Sequence, residues 1–293
     1  MTVYRPLYYK DFKCIAERCR HSCCVGWEIS VDESTLGKYE SLGREDILCH
    51  IDDGKITLCD GDRCPFLLDS GLCRIISELG DGFTSKICRE HPRFYHRIGE
   101  KVEGGIGLSC EEACRIILSS DSYGEFCEYE HTADVAEETE FDTILHREYI
   151  YSLLADKGLS YSDAIALIKK KYSLELPIHT AEEWCEIFGD LEYLDEGHRE
   201  LMNIREGRGE HYDIYKRFLA YLLFRHVSVA DGYENLRARV GFCLLLTEML
   251  EGLTAGENLG FDHVCELARI ISEEIEYSED NTASLIFEFE CTL

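Results

Sequence analysis

Cysteine placement constrains this chain more than any other feature. Of its sixteen cysteines, eleven precede Ser119, and the first four, Cys14, Cys19, Cys23 and Cys24, crowd into FKCIAERCRHSCCVGWEIS. Thiols gathered from several short segments are what a zinc ion or an iron–sulfur cluster requires. The opening residues, MTVYRPLYYKDFK, carry Arg5, Pro6, Lys10 and Asp11 where a secretory signal needs an apolar core, so a cytoplasmic location is expected. In a reducing compartment, clustered cysteines point to metal or redox chemistry rather than to disulfides. No run approaches the ~18 apolar residues of a membrane span. The most apolar, FLAYLLF at 218–224, is closed by Arg217 and Arg225.

The 293 residues, 45% of them apolar, suffice for one large domain or two modest ones. A formal charge of −28 argues against nucleic acid and anionic membranes as partners and suits a cationic, lysine-bearing protein. The pattern predicts an α+β chain in three parts. Residues 1–127 read as a small cysteine-rich, metal-binding region of short strands and helices. Within it, Asp32 is a candidate cap for a helix ending at Gly43, and Asp52, Asp53 and Gly54 mark a hairpin. CRIISELG reads as a brief helix, and VEGGIGLS at 102–109 as a flexible strand pair. Residues 128–142 are acidic and poor in large apolar side chains, as a linker or loop would be. From 143 to 293, apolar positions recur at helical spacing, which predicts a helical bundle.

The opening cysteines are spaced C-x4-C-x3-C-C. On a helix, Cys19 and Cys23 share a face, while Cys24 turns away by about 100°, so the two adjacent cysteines need not serve one site. Cys64 and Cys73 flank the PFLLDSGL turn, Cys88 precedes REHPRF, and Cys110 opens the helix CEEAC. These eight are the candidate metal ligands. They suffice for two centres, or for one centre with spare thiols buried as small hydrophobes. Zinc would take four Cys, or Cys with His21 or His91; a [4Fe-4S] cluster would take four thiolates. Cys185, Cys243, Cys265 and Cys291 read as inert core thiols, and Cys49, Cys59, Cys114 and Cys127 are unassigned.

These motifs, in this order, resemble the flagellin lysine-N-methylases, within a wider group of cysteine-cluster proteins that chelate zinc or iron. The resemblance rests on F-x-C-x4-C-x3-C-C-x-G-W-x-I-x-x-D from Phe12 to Asp32, CPFL-x4-LC at 64–73, C-x-x-H-P-R at 88–93 and LSCEEACRIIL at 108–118. RFLAYLLFRH at 217–226, followed by Asp231 and Arg237, extends it into the helical half. His91 stands where a tyrosine is common in that family. The resemblance implies transfer of a methyl group from S-adenosylmethionine to lysine amines of flagellin, with a [4Fe-4S] cluster required.

The sequence itself carries neither a strand–GxGxG–helix donor site nor a C-x3-C-x2-C run. Methyl transfer needs a neutral amine, and lysine, with a pKa near 10.4, must lose its proton. Tyr8, Tyr9, Glu28 and Tyr95 are candidates for taking it, with Tyr95 and Glu28 the catalytic choices. Trp27 is a candidate for stacking on the donor, or else a core aromatic. Arg93, Arg225 and His226 are candidates for meeting the donor's carboxylate; for Arg225 the alternative is an ion pair to Asp231 or an N-terminal acid. The remaining readings are a metal-binding protein without catalysis and an iron–sulfur electron carrier.

Overall fold

The structure, a computed structural model, describes residues 2–130, 138–256 and 258–293. In chain order its elements begin with β1 (Thr2–Pro6), α1 (Glu33–Ser41), α2 (Glu45–Leu48), the hairpin β2 (Ile51–Asp52) and β3 (Lys55–Ile56), α3 (Arg74–Leu79) and α4 (Lys86–Glu90). Next come β4 (Arg93–Ile98), β5 (Lys101–Ile106), α5 (Glu111–Ser119), β6 (Phe126–Glu130) and β7 (Glu138–Thr139). The rest is helical: α6 (Ile144–Ala155), α7 (Tyr161–Lys171), α8 (Ala181–Gly189), α9 (Tyr212–His226), α10 (Tyr233–Leu253), α11 (Phe261–Ile271) and α12 (Glu279–Thr292). The protein is α+β.

Two compact units divide the chain. One, the cysteine unit, comprises Lys13–Phe94 with Cys110–Glu112; the other, the sheet–helix unit, comprises the chain to Phe12, Tyr95–Ser109 and Ala113–Leu293.

The cysteine unit has a small core of Ile29, Val31, Tyr39, Ile47, Ile56, Cys64, Phe66 and Ile75. Its elements are set by local chemistry. Asp32 caps α1 by accepting from Thr35 N at 3.1 Å, and Gly43, with φ +62°, closes the helix in the left-handed region. The hairpin turns at Asp53 and Gly54, both with positive φ, as a two-residue turn of this kind demands. Asp32 does more than cap: its second oxygen accepts from Lys86 N at 2.7 Å, tying the start of α1 to the start of α4.

The sheet–helix unit carries a five-stranded mixed sheet in the order β6-β1-β5-β4-β7, with β1 parallel to β5 and antiparallel to β6. The segment expected as a strand pair at 102–109 is instead the single strand β5 and its exit, buried throughout from Val102 to Leu108. Its glycines are why: a Cβ at Gly104 would come within 2.8 Å of the Tyr95 ring, which packs where a side chain would stand. Helix α10, buried along most of its length, packs on α9, α11 and α12. The acidic stretch at 128–142 begins inside β6 and includes β7; its residues 131–137 lie outside the described residues.

Of the four thiols expected in helical cores, Cys243 and Cys265 are buried, whereas Cys185 and Cys291 are exposed. The apolar face of α8 runs through Trp184 and Phe188, and Cys185 lies one position round the helix from it.

Candidate functional site

All eight candidate ligand cysteines belong to the cysteine unit. Hydrogen bonds gather them from distant segments. Glu111, next to Cys110, accepts from Arg20 N and Arg20 Nε, each at 2.7 Å, and lies 3.6 Å from Cys19 Sγ. Cys64 N donates to Cys24 O at 2.8 Å, and Leu67 bridges to Cys73 while its N donates to Cys64 O. Cys24 and Cys73 pack on the same small core that buries Cys64. Ser85 Oγ donates to Cys88 Sγ at 3.1 Å at the start of α4.

The thiols sense one another. Burial, then the proximity of Cys24, Cys73 and Cys88, pushes the Cys64 thiol up to about 12. Desolvation raises Cys19 to about 11, with Glu111 and Cys110 contributing. A hydrogen bond from Cys23 holds the Cys24 thiol down to about 7, with Arg63 adding positive charge, and the same bond raises Cys23. Neighbouring thiols suit a soft metal, which binds thiolates and releases their protons. Among the described residues, the group of three or more metal-type donor atoms all within 4.8 Å of one another is His198, Glu273 and Glu274. Glu274 there already accepts from Leu194 N at 2.8 Å and meets His198 Nδ1 at 2.7 Å, while Glu273 pairs with Arg269.

Trp27, Glu28 and Arg93 also lie in the cysteine unit. The Trp27 ring stands 6.0 Å from that of His91, and Arg93 Nη1 donates to Arg89 O at 3.2 Å. Glu28, 66% exposed, pairs with Lys55 at 2.8 Å.

Tyr95, Arg225 and His226 belong to the sheet–helix unit. Arg5 Nη2 donates to Tyr95 Oη at 3.2 Å. Arg225 and His226, at the end of α9, face Glu276: His226 Nε2 stands 2.7 Å and Arg225 Nε 3.4 Å from Glu276 Oε1. The acid expected for Arg225, Asp231, is replaced by one 51 residues away. The reason is a π-helical turn, Ser272–Glu276, that extends α11 and carries Glu274 and Glu276 into buried positions. Burial alone would push the Glu276 carboxyl up, but His226 and Arg225 outweigh it and hold it down. Arg225 also donates to Tyr221 Oη at 3.3 Å, and that oxygen accepts from Leu108 N at 3.2 Å at the exit of β5.

Two features were not apparent from the sequence motifs. Glu103 in β5, 0% exposed, is clasped by both Nη atoms of Arg147, at 2.7 and 2.8 Å, with Lys101 at 2.9 Å and His96 at 3.4 Å. Arg147 lies on the buried stripe of α6 with Ile150, Tyr151 and Leu154, and one arginine on an apolar stripe is the signal that could have found it. Beside this pair lies a pocket of about 30 Å³ lined mainly by Tyr8, Tyr123, Phe126, Tyr151, Tyr221 and Phe224. Burial first, then Tyr151, raises the Tyr8 hydroxyl far above its ordinary value, so it acts as a neutral donor.

Over 133 aligned positions, 41% of this chain, the sequence is 29% identical to lysine-N-methylases of Salmonella choleraesuis (strain SC-B67) and Salmonella typhimurium (strain LT2). The chain is similar to lysine-N-methylases. The same identity holds over 133 positions with the flagellar biosynthetic protein FliU of Salmonella muenchen. The match covers 33% of each of the two lysine-N-methylases and 78% of FliU, so the chain spans about a third of the length of the first two. No family model matches the chain, and no solved structure does. These relatives support the resemblance to the flagellin lysine-N-methylases. Among the described residues, no helix is long and apolar enough to cross a membrane.

Proposed function

We propose that the protein is an S-adenosylmethionine-dependent lysine N-methyltransferase that acts on flagellin or another lysine-bearing protein, with a [4Fe-4S] cluster on its cysteine unit. The similarity to the lysine-N-methylases carries this reading. The eight thiols gathered in the cysteine unit are the donor type an iron–sulfur cluster takes. When bound, a cluster supplies a redox-active centre that orders the segments contributing its thiolates.

In the reaction, the lysine Nζ lone pair attacks the sulfonium methyl carbon as the carbon–sulfur bond breaks. The thioether S-adenosylhomocysteine leaves, and the methylated ammonium retains or sheds its proton. The amine must arrive neutral. Tyr95, whose hydroxyl oxygen is oriented by Arg5 Nη2 at 3.2 Å, is our candidate for accepting that proton. Glu28 is the exposed carboxylate alternative. The aromatic pocket offers π faces to a cationic methyl group. Trp27 and Arg93 on the cysteine unit, and Arg225 and His226 on the sheet–helix unit, are separate candidates for holding the donor; Arg225 and His226 already meet Glu276. The net charge of −28 favours a substrate presenting lysines.

The test is transfer of label from methyl-labelled S-adenosylmethionine to purified flagellin by anaerobically prepared protein. Labelled lysine, weakened in Tyr95→Phe, is expected. Donor binding and label both absent from metal-loaded protein would leave the metal-binding protein without catalysis as the better reading.

A further inference from the structure

We propose that the cysteine unit holds two separate four-thiolate centres, one built by Cys14, Cys19, Cys23 and Cys110 and the other by Cys24, Cys64, Cys73 and Cys88, divided at the Cys23–Cys24 peptide. The inference rests on the metal-binding reading above and adds the number of centres and the allocation of ligands.

Geometry allocates the second group. Cys64 hydrogen-bonds the Cys24 backbone, Leu67 links Cys64 to Cys73, and all three cysteines share one small core. Cys88 joins them through α4, whose first residue is held by Asp32 at the start of α1. Tyr39 of α1, part of that core, donates to Phe83 O at 2.5 Å, and Thr35 Oγ1 donates to Thr84 O at 3.4 Å, so the segment leading to Cys88 is held on the same core. The first group is assembled by a different clasp. Glu111 grips both the backbone and the side chain of Arg20, which brings Cys110 to the segment that carries Cys19 and Cys23. Glu111 also stands 3.6 Å from Cys19 Sγ, and Cys14 lies on the same short segment, its Sγ accepting from Ala16 N at 3.4 Å.

Eight thiols fall into four and four, and four thiolates complete either a cubane cluster or a zinc site. Adjacent Cα atoms are ~3.8 Å apart, so neighbouring cysteines in successive residues can serve two sites close to one another. Loading each centre releases the protons of its thiols.

Native mass spectrometry of the full chain, purified and reconstituted anaerobically, counts the centres directly, with iron, sulfide and zinc analysis on the same sample. Two centres are expected, which for cubane clusters means about eight irons and eight sulfides per chain. In Cys14→Ala/Cys23→Ala, two exposed positions of the first group, the metal content is expected to halve. In Cys73→Ala/Cys88→Ala it is expected to halve as well, with the first group's metal retained. One centre in the wild-type chain, or complete loss of metal in both variants, overturns the division. The wild-type count stands even if a variant does not fold. Two zinc ions per chain would uphold the division while defeating the iron–sulfur reading; a single four-iron cluster would do the reverse.

Discussion

Replacing Arg147 with methionine removes both guanidinium bonds to Glu103 while keeping most of the side chain's volume. Glu103 is wholly buried, and a buried charge stripped of its partner costs ~3–5 kcal/mol. Lys101, at 2.9 Å, and His96, at 3.4 Å, remain to compensate, which places the expected loss near the lower end, ~3 kcal/mol. The double variant Arg147→Met/Glu103→Gln removes the charge as well and should recover at least ~1 kcal/mol of that loss. The sign of the pH dependence separates this account from a simple packing defect. In the wild type, burial raises the Glu103 carboxyl, but Arg147 and His96 outweigh it and depress it. Its contribution is therefore present above the ordinary carboxylate range and lost as pH falls through the depressed value. Without Arg147, burial dominates and the folded carboxyl is expected to rise, so the variant's deficit should shrink as pH falls from 7 toward about 4.5. Urea unfolding followed by Trp184 fluorescence, in a Trp27→Phe background, reports the sheet–helix unit alone. A loss under ~1 kcal/mol, or a deficit constant with pH, refutes the argument.

Two other outcomes follow from buried contacts of the same unit. In Gly107→Ala the new Cβ would stand 2.1 Å from Tyr277 Oη and 2.9 Å from Arg225 Nη1, so a loss of ~1–3 kcal/mol is expected in thermal unfolding, partly relieved by Tyr277→Phe. His226 is depressed mainly by burial, with Glu276 opposing, so its contribution is present above about pH 6.5 and lost on acidification. Melting temperatures at pH 5.5 and 7.5 should therefore differ less in His226→Gln than in the wild type; an unchanged difference would rule His226 out as the source.

Local chemistry was legible in the sequence because the residues that determine it are neighbours. The Asp32 cap and Gly43 stop, the Asp53–Gly54 turn and the helix over 144–155 all depend on contacts within a few residues. The cysteine motifs likewise carry the resemblance to the lysine-N-methylases, because each is a short, continuous run of the chain. What stayed hidden depends on distance along the chain. Arg225 needed an acid, but nothing near it reveals that a π-helical turn would bring Glu276 to it. Arg147 announced a buried partner without naming Glu103, 44 residues earlier. Spacing exposed the adjacent cysteines as an oddity, and only the folded chain shows which thiols each keeps company with.

The Asp32 carboxylate has a consequence for how the cysteine unit would take up the metal proposed for it. By capping α1 with one oxygen and accepting from Lys86 with the other, it closes a loop of 54 residues without a covalent bond. Cys64 and Cys73 lie within that loop, and Cys88 lies just beyond its end. The entropy of bringing such distant segments together is thus already lost in the folded chain, and an incoming ion would find these thiols tethered rather than scattered. Asp32 works as a clasp fastened in advance, and the ordering it has already done would appear as tighter binding of the proposed metal.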